Sequence, residues 1–267
     1  MNLNITIGQY YPAKSKIHSL DPRTKLGSLF VFILILFSAA NAAGYIVAAL
    51  GVALVIKIST VPPKFLLRGL RSVFFIIAFT VVLNTFFVPG ETVIFQLGFL
   101  SMTMEGLMAA GRMGSRLVLL IIASSALTLT TSPIELTDGI EYTLKPFKKI
   151  GVPAHEIAMM MTIALRFIPT LMEETDRIMK AQISRGADFG TGSLVQKAKA
   201  IVPLLVPLFI SAFRRADELA LAMEARCYRG DENRTRMKQL KMTAVDYIFY
   251  AALFVFSASI FGTRFLW

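Results

Sequence analysis

Long runs without any charged residue are the feature that most limits how this chain can fold. The longest run covers residues 26–56, which is 31 positions, and further uncharged runs cover 72–90, 117–134 and 247–263. A helix needs about 20 apolar residues to cross the hydrocarbon core of a bilayer, with a usual range of about 17–25. The runs therefore predict membrane-spanning helices and exclude a soluble protein.

The composition agrees with a membrane protein. Of the 267 residues, 55% are hydrophobic and 17% are charged, whereas soluble domains have roughly 45–50% and 25%. The single cysteine excludes an internal disulfide, and one cysteine with two histidines offers too few ligands for a usual zinc site. The net charge of +11 indicates basic cytoplasmic loops, so that no nucleic-acid partner is predicted.

The positions of Lys and Arg predict the topology. Arg23 and Lys25 precede the first apolar run, and since basic residues are enriched in cytoplasmic loops, the N-terminus is predicted to be cytoplasmic. The first 25 residues lack the apolar segment of a signal peptide, so the first span is expected to remain in the mature protein. Five spans satisfy the charge bias at every loop, at about 26–41, 44–59, 72–88, 117–131 and 244–263.

The predicted fold is an all-α polytopic membrane protein with about five membrane-spanning helices and a cytoplasmic domain of long amphipathic helices. Residues 1–131 are predicted to form the membrane domain with four spans, residues 132–241 the cytoplasmic domain of long amphipathic helices, and residues 242–267 a C-terminal span. Residues 90–104 lack Lys and Arg, and their alternating apolar side chains predict an outer loop or hairpin.

The cytoplasmic segment is predicted to contain three helices, at about 132–149, 153–185 and 194–229. Ser132 and Pro133 are typical of a helix start, while Gly186 and Gly230 are expected to end the second and third helices. The segment has no Gly-rich phosphate-binding loop and no H-E-x-x-H metal motif. Stiff amphipathic helices without such motifs favour a docking platform over an enzyme.

Two arginines on the N-terminal part of the fourth predicted helix have two interpretations. Arg112 and Arg116 lie four residues apart, on one face of a helix. They either extend to the membrane interface from the first turns of the helix, or they face a partner or a cavity inside the membrane. The residues themselves leave both interpretations open.

Five sequence blocks carry a resemblance to a known family. They are LDPRTK at 20–25, TTSPIEL at 130–136, RFIPTL at 166–171, AQISRG at 181–186 and AMEARCYRG at 222–230. Together and in this order they resemble the transmembrane (T) component of energy-coupling factor (ECF) transporters, the EcfT family. The likeness covers nearly the whole chain.

The resemblance implies specific site residues. The family has two short Ala-Arg-Gly motifs at the ends of its coupling helices, which correspond here to Ser184-Arg185-Gly186 and Ala225-Arg226-Cys227. Ser replaces Ala in the first motif and Cys replaces Gly in the second, while Arg is present in both. The resemblance implies that these motifs dock into two ABC ATPase subunits, which bind ATP and Mg and hydrolyse the ATP. The alternative to docking is a structural role, because a basic residue at a helix C-terminus interacts with the helix dipole and stabilises the helix by about 0.3–1 kcal/mol.

The predicted function is therefore a non-catalytic, energy-coupling scaffold of a bacterial importer, embedded in the cell membrane and carrying no cofactor of its own. The resemblance implies a second partner, a membrane S component that binds a vitamin or a transition-metal ion. Two alternatives are a self-contained secondary transporter, which would usually show two related halves, and a membrane enzyme, which would need paired acids, His or Cys within its spans.

Overall fold

Eight α-helices and one β-hairpin form the described part of the chain, which comprises residues 10–97, 100–187, 194–230 and 239–265 in this computed structural model. The elements are α1 (Pro22–Ser38), α2 (Ala42–Ser59), α3 (Pro63–Phe87), β1 (Val93–Leu97), β2 (Leu100–Thr103), α4 (Met104–Thr130), α5 (Pro133–Leu144), α6 (Ala154–Ser184), α7 (Leu194–Ala225) and α8 (Ala244–Phe265). They divide into one unit of Met1–Gly139 with Lys238–Trp267 and a second unit of Ile140–Met237.

The first helix begins with a strong start signal. The side chain of Asp21 accepts a hydrogen bond from the backbone N–H of Arg23, and Pro22 occupies the first helical position. One turn later the buried Lys25 donates through Nζ to the backbone oxygens of His18, at 3.1 Å, and of Thr130, at 2.9 Å. Lys25 thereby links the start of α1 to the end of α4 by a hydrogen bond.

The core of the first unit is made by α1, α2, α4 and α8. Large apolar side chains such as Phe32 and Leu36 of α1 and Leu119 of α4 are buried there with Ile260 of α8. Outward-facing side chains are equally apolar, as Phe74 and Phe75 of α3 are 67% and 80% exposed. Apolar residues on both faces of a helix are typical of a span that contacts lipid on its outer face.

Four of the described helices are long and apolar enough to cross a membrane, namely α2, α3, α4 and the segment Ala244–Arg264 of α8. This confirms the predicted all-α polytopic membrane protein. The first predicted span corresponds to α1, which has 17 residues and is at the lower limit for crossing the hydrocarbon core. The count of five crossings therefore stays a prediction.

Two helices begin earlier than predicted. α3 begins at Pro63 rather than near residue 72, and α4 begins at Met104 rather than near 117. Both extensions contain basic residues, which end an apolar run but do not end a helix. Before α4, the strands β1 and β2 pair antiparallel, as expected for residues 90–104.

The second unit is built mainly from α6 and α7, which pack against each other. Glu174 of α6 and Arg215 of α7 form an ion pair at 2.7 Å. The helix predicted over 132–149 is α-helical to Leu144 and continues as a short 3-10 helix, Lys145–Ile150, that Gly151 ends at φ 91°. The start signal of α5 is a reciprocal one, because the side chains of Ser132 and Glu135 each accept from the other's backbone N–H.

Candidate functional site

The end of α6 is closed by two backbone hydrogen bonds around Arg185. The N–H of Gly186 donates to Ile183 at 2.9 Å, and the N–H of Ala187 donates to Gln182, also at 2.9 Å. Gly186 has φ 88°, a conformation that costs glycine little. This pair of bonds is the Schellman motif, in which the residue before the left-handed one is the C-cap. Arg185 is that C-cap.

The end of α7 has the same construction. The N–H of Cys227 donates to Glu224 at 2.8 Å, and the N–H of Tyr228 donates to Met223 at 3.0 Å. Cys227 has φ 55° and takes the position that Gly186 takes in α6. The prediction that Gly230 ends this helix is wrong, because the helix ends at Ala225 and Cys227 adopts the left-handed conformation despite its Cβ.

The two helix ends therefore present their arginines in equivalent positions. Arg185 and Arg226 each follow the last helical residue, and both are exposed together with Ser184 and Ala225. Among the residues that the structure describes, neither guanidinium has an ion pair or a side-chain hydrogen bond. Both are thus free to accept an acidic or carbonyl partner from another molecule.

Tyr228 anchors the end of α7, and the sequence analysis did not single it out. Its hydroxyl donates to Sδ of Met159 at 3.0 Å and lies 3.4 Å from Nε2 of His155. The other ring nitrogen of His155 lies 3.1 Å from a carboxylate oxygen of Glu141. The position of Arg226 is thereby fixed against the beginning of α6. The sequence shows a tyrosine two residues after Arg226, but it could not show what this tyrosine contacts, because its partners are about 70 residues away.

This anchor also separates the two arginines. Tyr228 contacts the first turns of α6, while Arg185 lies at the other end of the same helix, 30 residues after His155. At 1.5 Å per residue, α6 spans about 45 Å between these points. Arg185 and Arg226 are thus matched in local geometry but lie at opposite ends of one helix pair.

Cys227 provides a test of the helix-end geometry. We expect Cys227→Gly to preserve the turn and raise stability by up to about 1 kcal/mol, because a side chain in the left-handed region costs roughly 1–2 kcal/mol that glycine avoids. Cys227→Val should lower stability, because a β-branched residue is least compatible with positive φ. Thermal unfolding of both variants in detergent measures the difference, and an equal melting temperature for the two would contradict it.

Arg112 and Arg116 are brought together in the first unit. Arg116 donates through Nη2 to the hydroxyl of Tyr45 at 2.8 Å, and its guanidinium lies 4.9 Å from the ring centroid of Phe37. Both arginines line the same cavity, where they are joined by Arg264 of α8. The sequence analysis did not connect Arg264 with them, because it is about 150 residues away.

Comparison with known proteins places the chain in a family. The model of the CbiQ family, described as a cobalt transport protein, matches residues 13–237. The energy-coupling factor transporter transmembrane protein EcfT of Thermosediminibacter oceani is 57% identical over 263 residues, which cover 98% of this chain and 99% of the relative. The chain belongs to the EcfT family.

Further EcfT relatives match over most of their length. The protein of Clostridium kluyveri is 58% identical over 246 residues, covering 92% of this chain and 91% of the relative. That of Bacillus subtilis is 48% identical over 261 residues, covering 98% of each. As an EcfT family member the chain is a membrane-embedded subunit of a transporter, which disfavours a self-contained secondary transporter or a membrane enzyme.

Proposed function

We propose that this EcfT protein is the energy-coupling scaffold of an ABC importer, and that it transmits the motion of two ATPase subunits to a membrane S component. The ATPases bind ATP and Mg and perform the hydrolysis, the S component binds a vitamin or another micronutrient, and this chain has neither a catalytic nor a cofactor role. The single observation that carries the proposal is the matching construction of two exposed helix ends, each with a C-cap arginine that forms no ion pair with another described residue.

The separation of the ends supports two docking partners rather than one. A groove that accepts one helix end cannot also accept another about 45 Å away along α6. Two helix ends of the same local geometry could instead bind two similar subunits, one at Arg185 and one at Arg226. A pair of subunits that approach each other on binding ATP would then move the two ends of one stiff helix pair.

The membrane unit supports a role in holding a second membrane protein. Residues of α3 expose wide apolar surface. In α7 of the second unit, an uncharged stretch also exposes large apolar side chains, among them Val206 and Phe209 at 53% and 62%. Such surfaces are covered either by lipid or by partner subunits. A small membrane protein that rests on the exposed apolar stretch of α7 would be moved when the helix ends move.

The direct test is co-purification of the tagged chain from membranes that express the candidate ATPases and S component. We expect both ATPase subunits and the S component to be recovered with it, and ATP hydrolysis to depend on the ATPases. Recovery of the chain alone, with substrate uptake by the chain alone in vesicles, would contradict the proposal and favour a secondary transporter.

The proposed topology places the N-terminus and the second unit in the cytoplasm of a bacterial cell. Cys227 tests this without an added residue, because it is the only cysteine and it is exposed. In cells that express the chain without the ATPases, we expect a membrane-impermeant maleimide to leave Cys227 unlabelled while the cells are intact and to label it after permeabilisation. Cys227→Ser provides the background, and labelling in intact cells would reverse the topology.

A further inference from the structure

Three arginines converge on one cavity at the end of the membrane unit where α1 ends. The cavity has a volume of about 360 Å³. It is lined by Arg112 and Arg116 of α4, by Arg264 of α8 and by residues 37–40, where α1 ends. The three residues come from sequence positions up to 152 apart (264 minus 112). The fold, rather than local sequence, therefore concentrates three positive charges at one place.

These charges are not neutralised within the part of the chain that the structure describes. None of the three arginines forms an ion pair there. Arg116 is held rigidly between Tyr45 and Phe37, yet its Nε is buried without a hydrogen-bond partner. A buried guanidinium N–H without an acceptor is costly, so the described residues of the chain do not fully compensate the Arg116 guanidinium.

The cavity lies near one boundary of the hydrocarbon core. Lys25 and Thr130 share one level at the opposite end of the bundle, because they are joined by a hydrogen bond. Arg116 and Arg112 precede Thr130 by 14 and 18 residues, which corresponds to about 21 and 27 Å along α4. Measured from Thr130 at the near boundary of a hydrocarbon core about 30 Å thick, Arg112 lies about 3 Å from the far boundary and Arg116 lies about 9 Å inside it.

Arg264 is at the same height. It follows Asp246 by 18 residues in α8, or about 27 Å, and Asp246 accepts a hydrogen bond from the backbone of Asp21 at the level of Lys25. Arg112 and Arg264 thus lie near the far boundary of the hydrocarbon core, where their long side chains reach the depth of lipid phosphates, and Arg116 lies below them. This is the side predicted to be poor in basic residues, and an anionic counterpart at that depth would stabilise such a group of cations.

We propose that this cavity binds the phosphodiester headgroup of an anionic phospholipid in the leaflet where α1 ends. Guanidinium groups match phosphate oxygens with paired hydrogen bonds and are the preferred side chains for this contact. Arg116 supplies a fixed donor at the bottom of the cavity, while the exposed Arg112 and Arg264 supply donors at its rim. The apolar end of α1, including Phe37, lies beside them to contact the acyl chains.

A lipid fits better than a soluble anion because the cavity is at membrane depth, where phospholipid is the abundant phosphate compound. The proposal is independent of the docking role of Arg185 and Arg226. It concerns the membrane unit alone, and its test below requires no ATPase.

The test is native mass spectrometry of the full chain, released from mixed micelles that contain phosphatidylglycerol and phosphatidylcholine with identical acyl chains. We expect the wild type to retain phosphatidylglycerol preferentially. Arg112→Gln with Arg264→Gln should reduce that preference at least about tenfold, since charge-assisted bonds to phosphate are lost. Arg68→Gln with Arg71→Gln removes the same number of exposed charges at the beginning of α3 and should keep the preference.

Folding is checked by size-exclusion chromatography and circular dichroism, and single Arg112→Gln replaces the double variant if the latter aggregates. An unchanged preference in the Arg112 and Arg264 variants would overturn the proposal. Displacement of phosphatidylglycerol by millimolar inorganic phosphate would overturn the lipid assignment in favour of a free phosphate. Unchanged lipid retention with loss of a co-purified membrane partner would overturn it in favour of an acidic protein surface.

Discussion

Replacing Arg185 and Arg226 together with Glu is expected to abolish association with the ATPases and substrate uptake, while the chain still inserts into the membrane. Each single change should weaken ATPase association by about 30-fold to several thousand-fold. This range follows because breaking a buried charge pair costs about 2–5 kcal/mol, at about 1.4 kcal/mol per tenfold change. Glu adds repulsion from the acidic partner that the arginine would contact.

The size of the effect distinguishes docking from helix stabilisation. If Arg185 and Arg226 only complement the helix dipole, each replacement costs under about 1 kcal/mol, or less than about fivefold. Arg177→Glu in α6 and Arg214→Glu in α7 are matched controls, because both residues are exposed on the same helices but are not C-caps. They should leave association nearly unchanged.

Co-purification of the ATPases and uptake in membranes with equal amounts of the chain provide the measurement. Normal assembly and uptake in the Arg185 and Arg226 double variant would reject the docking role. A loss in the control variants as large as in the double variant would instead indicate a general effect of added negative charge on the second unit.

Asp246→Ala is expected to destabilise the membrane unit by about 3–5 kcal/mol. The carboxylate of Asp246 is fully buried and accepts from the backbone N–H of Asp21 at 2.8 Å and from both the backbone and the hydroxyl of Thr243. Its removal leaves a buried N–H unsatisfied and removes a negative charge near the buried Lys25. Leaving a buried charge without its counterpart is among the largest single-residue effects known.

Unfolding of the purified chain in mixed micelles with increasing SDS, followed by circular dichroism, measures this effect. Asp246→Asn keeps one oxygen acceptor of the same shape and should show a smaller loss than Asp246→Ala. Ser259→Ala, on the same helix, removes an exposed hydroxyl that bonds only its own helix and should change stability by less than about 0.5 kcal/mol. Equal midpoints for Asp246→Ala and Ser259→Ala would contradict the prediction.

Much of the fold could be predicted from hydropathy because each apolar run must be helical in lipid. Helix starts that are set by neighbouring residues were equally predictable. Asp21 before Pro22 and Ser132 with Glu135 both form their hydrogen bonds within a few residues of the helix start. The starts of α3 and α4 were predicted too late, since basic residues were interpreted as the edge of a span. A helix continues through the interface as long as its backbone bonds are satisfied.

The candidate site was predictable only in part. Gly186 is a helix-ending residue by its chemistry, but Cys227 is not, and only the backbone shows that it takes the same conformation. Contacts between distant segments leave no local pattern. This applies to Tyr228 with His155 and to Arg264 beside Arg116, which single-sequence reasoning could not join.

The bond between Asp21 and Asp246 has a consequence for the order of synthesis. Its partners are 225 residues apart, and at 5–20 residues per second a ribosome needs about 10–45 s to make the intervening chain. Throughout that time the first helix is in the membrane without α8, and the buried N–H of Asp21 lacks its acceptor. The last helix to leave the ribosome is therefore the one that completes the bundle around the first.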